Sequence, residues 1–139
     1  PIATLITPNI PEAEALTNMK IRTKEDVQTA ALTLSSKVPA VLIKGGHQND
    51  SSHSSDYLFW RGEGYWLTEK RVNTLNTHGT GCTLSSAIAC FLGKGMDLFS
   101  SVESAKKYLS KAILRAAHIR LGRGHGPVHH FWNTWREDS

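Results

Sequence analysis

The chain has 139 residues, with 16 Lys+Arg against 12 Asp+Glu for a formal net charge of +4, seven His, two Cys and 40% hydrophobic residues. That is one domain's worth of chain, able to bury roughly two thirds of its unfolded surface, and its composition excludes intrinsic disorder and a disulfide-stapled scaffold. The positive excess is spread out rather than gathered into one basic block, so nucleic acid is not an expected partner. No apolar run approaches the ~18 residues that would cross a bilayer, and no basic-then-apolar leader is visible; no membrane partner is expected, and the expected compartment is the cytoplasm.

In chain order, Ala3 to Ile6 predicts a first strand, ended by Thr7-Pro8-Asn9, so the chain starts as if in mid-fold. Asn9 and Glu12 have capping-box spacing with Pro11 in the first turn, where its missing donor costs nothing, and a short helix follows through Leu16. Thr23 and Asp26 repeat that spacing before a second helix with Val27, Ala30, Ala31 and Leu34 on its apolar stripe and Pro39 after its end. Ala40 to Ile43 is a continuous apolar run, the mark of a strand buried on both faces, and leads through Lys44 into Gly45-Gly46. Residues 47–55, HQNDSSHSS, predict a mobile surface loop. Tyr57 to Trp60 and Tyr65 to Leu67 flank a turn at Arg61-Gly62-Glu63-Gly64, a hairpin pattern.

An extended piece from Arg71 to Leu75 then runs into NTHGTGCTLSS at residues 76–86. Leu84, Ala87, Ile88, Phe91 and Leu92 recur at helical spacing up to Gly93. A last helix is predicted from Ser101 to Leu121, with Val102, Ala105, Leu109, Ala112, Ile113 and Ala116 on one face and Gly122 past its end. The tail, residues 123–139, fits no regular element; its Phe131, Trp132 and Trp135 are expected to dock it on the body. This order of elements is that of an α/β layer fold, whose site belongs at the carboxyl ends of the strands.

The chemistry concentrates in the turns. At Thr77-His78-Gly79-Thr80-Gly81-Cys82 two glycines precede a helix, so backbone amides can converge unobstructed at the positive end of its dipole, where an anion is accepted. The same spacing also suits a plain strand-to-helix turn, and no GxxxxGK[ST] loop is present. A thiol in the first helical turn, as at Cys82, is stabilised as thiolate by the dipole and amides. Pairing it with His78 as nucleophile and base is disfavoured, because both belong to one tight turn without an orienting third group. Cys90 is expected in the core. Eight residues of helix would separate the two cysteines by ~12 Å, too far for a disulfide. Glu12 suits either its capping role or a divalent cation held through water, and Lys44 either water or a phosphate. His125 and His129 are four apart, but Gly126 and Pro127 forbid the helix that would pair them on a metal.

Four strings in one order, TPNIPEAEAL at Thr7 to Leu16, IKGGH at Ile43 to His47, NTHGTGCTLSSAIA at Asn76 to Ala89 and GHGPVHHF at Gly124 to Phe131, closely resemble the hydroxymethylpyrimidine/phosphomethylpyrimidine kinases of thiamine biosynthesis, in the ribokinase-like superfamily. The resemblance runs along nearly the whole chain and implies the carboxyl-terminal, nucleotide-binding and catalytic-loop portion (residues 1–139) of one ribokinase-like domain, a three-layer α/β/α sandwich with a mostly parallel sheet plus a β-hairpin. It implies ATP and Mg²⁺ as cofactors and a pyrimidine as small-molecule substrate. Gly79, Thr80, Gly81 and Cys82 match the loop that receives the transferred phosphoryl group, with Cys82 where most ribokinase relatives carry an Asp taken as catalytic base. Glu12 with Asn9 matches the NxxE motif associated with Mg²⁺. Lys44 matches a lysine near the ATP phosphates, Thr77 a loop residue beside them, and Lys106 a position lining the nucleotide pocket. The same resemblance implies that an amino-terminal half carrying the acceptor site is missing, and hence self-association or pairing with that half. A pyridoxal kinase of the same superfamily and a noncatalytic nucleotide-binding fragment are the alternatives.

Overall fold

The computed structural model describes residues 2–45, 52–71, 79–117, 126–130 and 132. The chain divides into two compact units, Pro1–Lys70 and Arg71–Ser139.

The first unit holds β1 (Leu5–Ile6), α1 (Ile10–Thr17), α2 (Lys24–Ser35), β2 (Ala40–Ile43), β3 (His53–Trp60) and β4 (Glu63–Lys70). Its four strands form one sheet in the order β1-β2-β3-β4. Parallel pairing is confined to β1 and β2, with Leu5 opposite Ala40 and Ile6 opposite Val41. β3 returns antiparallel to β2, and β3 with β4 forms the hairpin, so the sheet of this unit is mixed. Both helices begin as their sequences dictate: Asn9 and Glu12, then Thr23 and Asp26, close reciprocal capping boxes. The α2 stripe of Val27, Ala30, Ala31 and Leu34 is buried with Val41, Ile43 and Tyr57 in one apolar cluster. Leu42 and Leu58, fully buried, alternate onto the other face of the sheet.

The hairpin departs from the sequence expectation. Its first strand begins at His53, so residues 53–55 belong to β3 and not to a loop; residues 46–51 lie outside the described residues. Pairing His53 with Lys70, Ser54 with Glu69 and Ser55 with Thr68 gives this polar stretch its ladder, and the Ser55 and Thr68 hydroxyls bond each other at 3.0 Å. The turn narrows to two residues, Arg61 and Gly62, with φ of 53° and 78°, the handedness that matches strand twist in a tight hairpin. Gly64 is required by packing, since a Cβ there would stand 1.7 Å from the Tyr57 hydroxyl.

The second unit is built on α3 (Thr80–Gly93) and α4 (Leu98–Ala116), which pack together. Asp97 caps α4 through the Ser100 N–H at 3.0 Å, so the helix starts three residues ahead of the sequence expectation. Its described part ends at Ala116, and residues 118–121 of the predicted helix lie outside the described residues, as do residues 72–75 of the predicted extended piece. Cys90 is exposed, against the expectation of a core position. The buried side of α3 carries Leu84 and Ile88, and two residues past Ile88 rotate Cys90 about 200° to the opposite side. The tail docks on α4: the His129 N–H donates to the Ala112 carbonyl at 3.2 Å, and the Tyr108 hydroxyl donates to the His130 carbonyl at 2.7 Å. Trp132 packs against Tyr108 with ring centroids 6.0 Å apart and planes tilted by 45°, and lies under the Lys111 ammonium. Phe131 and Trp135 lie outside the described residues. Among the described residues no helix is long and apolar enough to cross a membrane.

Candidate active site

In the first unit the carboxyl ends of β1 and β2 bring three expected site residues together. The Lys44 N–H donates to the Pro8 carbonyl at 2.9 Å, and Asn9 and Lys44 form a parallel bridge that continues the β1–β2 pairing by one step. From Asn9 the chain enters α1. The Asn9 side-chain oxygen accepts the Glu12 N–H, and Glu12 Oε2 accepts the Asn9 N–H, both at 2.8 Å. Glu12 is therefore held by its cap while its residue remains solvent-exposed, and Oε1 is the oxygen left to meet a ligand. A cavity of about 450 Å³ opens beside it, lined by Ile6, Thr7, Pro8, Glu12, Ala15 and Leu16.

Among the described residues no group of three or more His, Cys, Asp or Glu side chains gathers to hold an ion. One exposed carboxylate fits a cation that keeps most of its water, as Mg²⁺ does, rather than one that needs a protein cage.

In the second unit Gly79 to Cys82 form the start of α3. Gly79 takes φ 80° at the cap position, a left-handed conformation that favours glycine. The first intrahelical donor is the Thr83 N–H, bonded to the Gly79 carbonyl at 2.9 Å, and the Thr83 hydroxyl returns to the same carbonyl. The amides of Gly79, Thr80, Gly81 and Cys82 precede it, and among the described residues no side chain caps them. The other three described helices are closed by Asn9, Thr23 and Asp97. The Arg22 and Thr23 amides hold the Asp26 carboxyl below the ordinary aspartate range, and the Ser100 amide does the same for Asp97. The Cys82 residue is exposed. Lys106 lies on α4, the helix packed against α3, and is buried on the stripe that carries Val102 and Ala105. Thr77 lies outside the described residues.

Sequence reasoning missed Asp56. It stands in β3, 6% exposed, and its Oδ1 accepts the Gly45 N–H at 2.8 Å. It falls between the loop expected at 47–55 and the strand expected from Tyr57 and belongs to no motif, and the signal that could have found it, a charge at the edge of an apolar aromatic run, is a weak one.

Parallel strand ends followed by Lys44 and by the Asn9–Glu12 cap, and a glycine-led helix start, define a protein of the α/β class. A family model described as phosphomethylpyrimidine kinase matches residues 1–129. The chain belongs to the phosphomethylpyrimidine kinase family. A hydroxymethylpyrimidine/phosphomethylpyrimidine kinase of Staphylococcus aureus (strain MRSA252) is 42% identical over 133 residues, covering 94% of this chain and 48% of the relative. That of Salmonella typhimurium is 45% identical over 138 residues, covering 97% and 51%. Among solved structures, a Staphylococcus aureus pyridoxal kinase in complex with ADP superposes with a TM-score of 0.87 at 33% identity, covering 96% of this chain and 50% of that one. A phosphomethylpyrimidine kinase from Clostridium difficile gives 0.64 at 35% identity, covering 81% and 44%. The ribokinase-like α/β fold implied by the motifs is thus the fold found. The chain spans about half the length of the curated relatives it matches.

Proposed function

We propose that this chain is the nucleotide-binding and catalytic-loop portion of one ribokinase-like domain that phosphorylates hydroxymethylpyrimidine and its monophosphate in thiamine biosynthesis, in the cytoplasm. The observation that carries this is the α3 start, an uncapped set of amides led by left-handed Gly79, in a chain of the phosphomethylpyrimidine kinase family. ATP supplies the transferred phosphoryl group when bound, and Mg²⁺ offsets the charge of its phosphates. The amides of Gly79, Thr80, Gly81 and Cys82 receive the phosphoryl oxygens, which costs no reorganisation because the turn is already formed. Cys82 Sγ, in that same turn, takes or steers the proton of the acceptor hydroxyl. Lys44 would meet the nucleotide phosphates, Thr77 and Lys106 would line the nucleotide's place, and Glu12 would hold the cation, its carboxylate fixed by the Asn9 backbone N–H.

A second reading is favoured by a specific finding. Structures described as pyridoxal kinase, one in complex with AMP-PCP and pyridoxal, match this chain with a TM-score of 0.87 at 33% identity, so pyridoxal is the competing acceptor. Association with a second copy or with the rest of a longer relative is part of the proposal. It is supported by β1, which among the described residues pairs on one side only, and by the exposed Ile2 and Leu16. The test is ATP-dependent phosphorylation of hydroxymethylpyrimidine and of pyridoxal, by this chain and by a chain of the relatives' full length. Preferred turnover of the pyrimidine is expected; preferred turnover of pyridoxal selects the second reading, turnover by the longer chain alone makes this chain a binding portion, and no turnover by either ends the kinase assignment.

A further inference from the structure

We infer that Asp56 is a positioning residue for Lys44, acting through the Gly45 amide; this rests on the proposed role of Lys44 toward nucleotide phosphates. The ladder between β2 and β3 ends at Ile43 opposite Tyr57. One step further, Lys44 and Asp56 face each other across the same register, at a position where the alternation of a strand paired on both sides turns the backbone of Lys44 toward β1. Its N–H is taken by the Pro8 carbonyl, and residue 44 bridges to Asn9 instead. The next amide, Gly45, faces β3 with no backbone partner in that ladder, and there the Asp56 carboxylate accepts it at 2.8 Å.

Successive amides on either side of the Lys44 carbonyl are thus pinned to opposite neighbours, one to the β1 extension and one to β3. Gly45 then turns away with φ 71°. Strand alternation puts Lys44, with Ala40 and Leu42, and Asp56, with Leu58, on one and the same face of the sheet. Asp56 is 6% exposed, and a carboxylate taken out of water at a sheet end costs free energy unless its hydrogen bonds are made. Its bond to Gly45 is charge-assisted and therefore short and directional. The result is a Lys44 Cα whose direction is set on both sides before any ligand arrives, so the ammonium is delivered without an ordering cost.

The experiment measures ATP affinity by calorimetry for the 139-residue chain and its Asp56→Ala, Asp56→Asn, Lys44→Ala and Lys44→Ala/Asp56→Ala variants, with amide exchange at Gly45 followed in each. Asp56→Ala is expected to weaken ATP binding about tenfold and to unprotect the Gly45 amide. Asp56→Asn keeps the acceptor oxygen and is expected to restore both. In the Lys44→Ala background, removing Asp56 is expected to cost nothing further, because its effect travels through Lys44. Equal ATP affinity of the wild-type and Asp56→Ala chains overturns the inference alone, as does an Asp56→Asn chain as weak as Asp56→Ala, which assigns the effect to charge. A wild-type chain that binds no ATP, or a Lys44→Ala chain that binds it as well as wild type, overturns the parent role of Lys44 and this inference with it.

Discussion

Two helix starts in this chain solve the same electrostatic problem in opposite ways. At α1 the Asn9 side chain and the Glu12 carboxylate return to the backbone, so two of the orphan amides are satisfied by the chain itself. At α3 Gly79 brings no side chain and Gly81 leaves the first turn open. The first arrangement spends its polar groups on stability and leaves one carboxylate oxygen over; the second forgoes capping, worth about 1 kcal/mol, and keeps its amides available to an anion. Stability is thus taken at three of the four described helix starts and withheld at the one where the family chemistry is proposed to occur.

The comparison breaks most sharply if α3 is made to cap itself. Gly81→Asp places a carboxylate in the first turn; it is expected to stabilise the helix by ~0.3–1 kcal/mol while lowering phosphoryl transfer, in the chain that shows it, by at least about 100-fold, read as thermal midpoint against turnover. A loss of both stability and turnover would mean ordinary misfolding.

Next in size are the closed starts. Asn9→Ala and Thr23→Ala each remove one cap and are expected to cost about 1 kcal/mol, or roughly 3–6 °C in thermal midpoint. Only Asn9→Ala is expected to change the Mg²⁺ concentration needed for nucleotide binding, because losing the Oδ1 acceptor of the Glu12 N–H loosens the turn that carries Glu12, whereas Thr23 serves α2 and no proposed ligand. Equal metal dependence in the two variants would remove Asn9 from the cation site.

A smaller effect is set by pH. Because the Arg22 and Thr23 amides depress the Asp26 carboxyl, its contribution is fully present above the unfolded aspartate value near 3.9 and is lost as pH falls through the lower folded value. Asp26→Asn keeps an acceptor but does not titrate, so its urea midpoint is expected to fall less than that of wild type between pH 5 and pH 3. Parallel acid limbs for the two chains would show that the α2 cap does not contribute to acid sensitivity.

The mildest test uses the thiols. Cys82 and Cys90 are both exposed on α3, so both are expected to react promptly with a soluble thiol reagent in the native chain. ATP with Mg²⁺ is expected to slow Cys82 alone, since Cys90 lies two turns along the helix. Peptide mapping of the label distinguishes them, and equal protection of both would point to a global change rather than to ligand at the α3 start.

Local signals were legible from the residues. Capping boxes at Asn9 and Thr23 act over three positions, the α2 stripe over a few turns, and the Ala40–Ile43 run within one strand, so each is written where it acts. The glycines at the start of α3, Gly79 at its cap and Gly81 within its first turn, were legible for the same reason, and with them the candidate phosphate site. What needed the fold was every feature whose partner is remote in sequence. Ser54 and Ser55 read as loop because their ladder partners, Glu69 and Thr68, lie over a dozen residues away. Asp56 carried no signal of its own, because its partner, the Gly45 amide, is brought to it only by the turn after β2. Cys90 read as core because it follows an apolar stretch, while α3 buries the side that carries Leu84 and Ile88.

By itself, then, the sequence determined where helices begin, which residues could meet phosphate, and the family to which they belong, since these depend on short-range hydrogen bonding and on motif order. Only the tertiary structure decided that β1 and β2 set Asn9, Glu12 and Lys44 at one sheet end, that β3 extends through a polar stretch, and that a buried carboxylate holds the turn beyond Lys44. Those outcomes depend on strand register, and register is fixed by burial and by pairing across the sheet rather than by any residue's immediate neighbours.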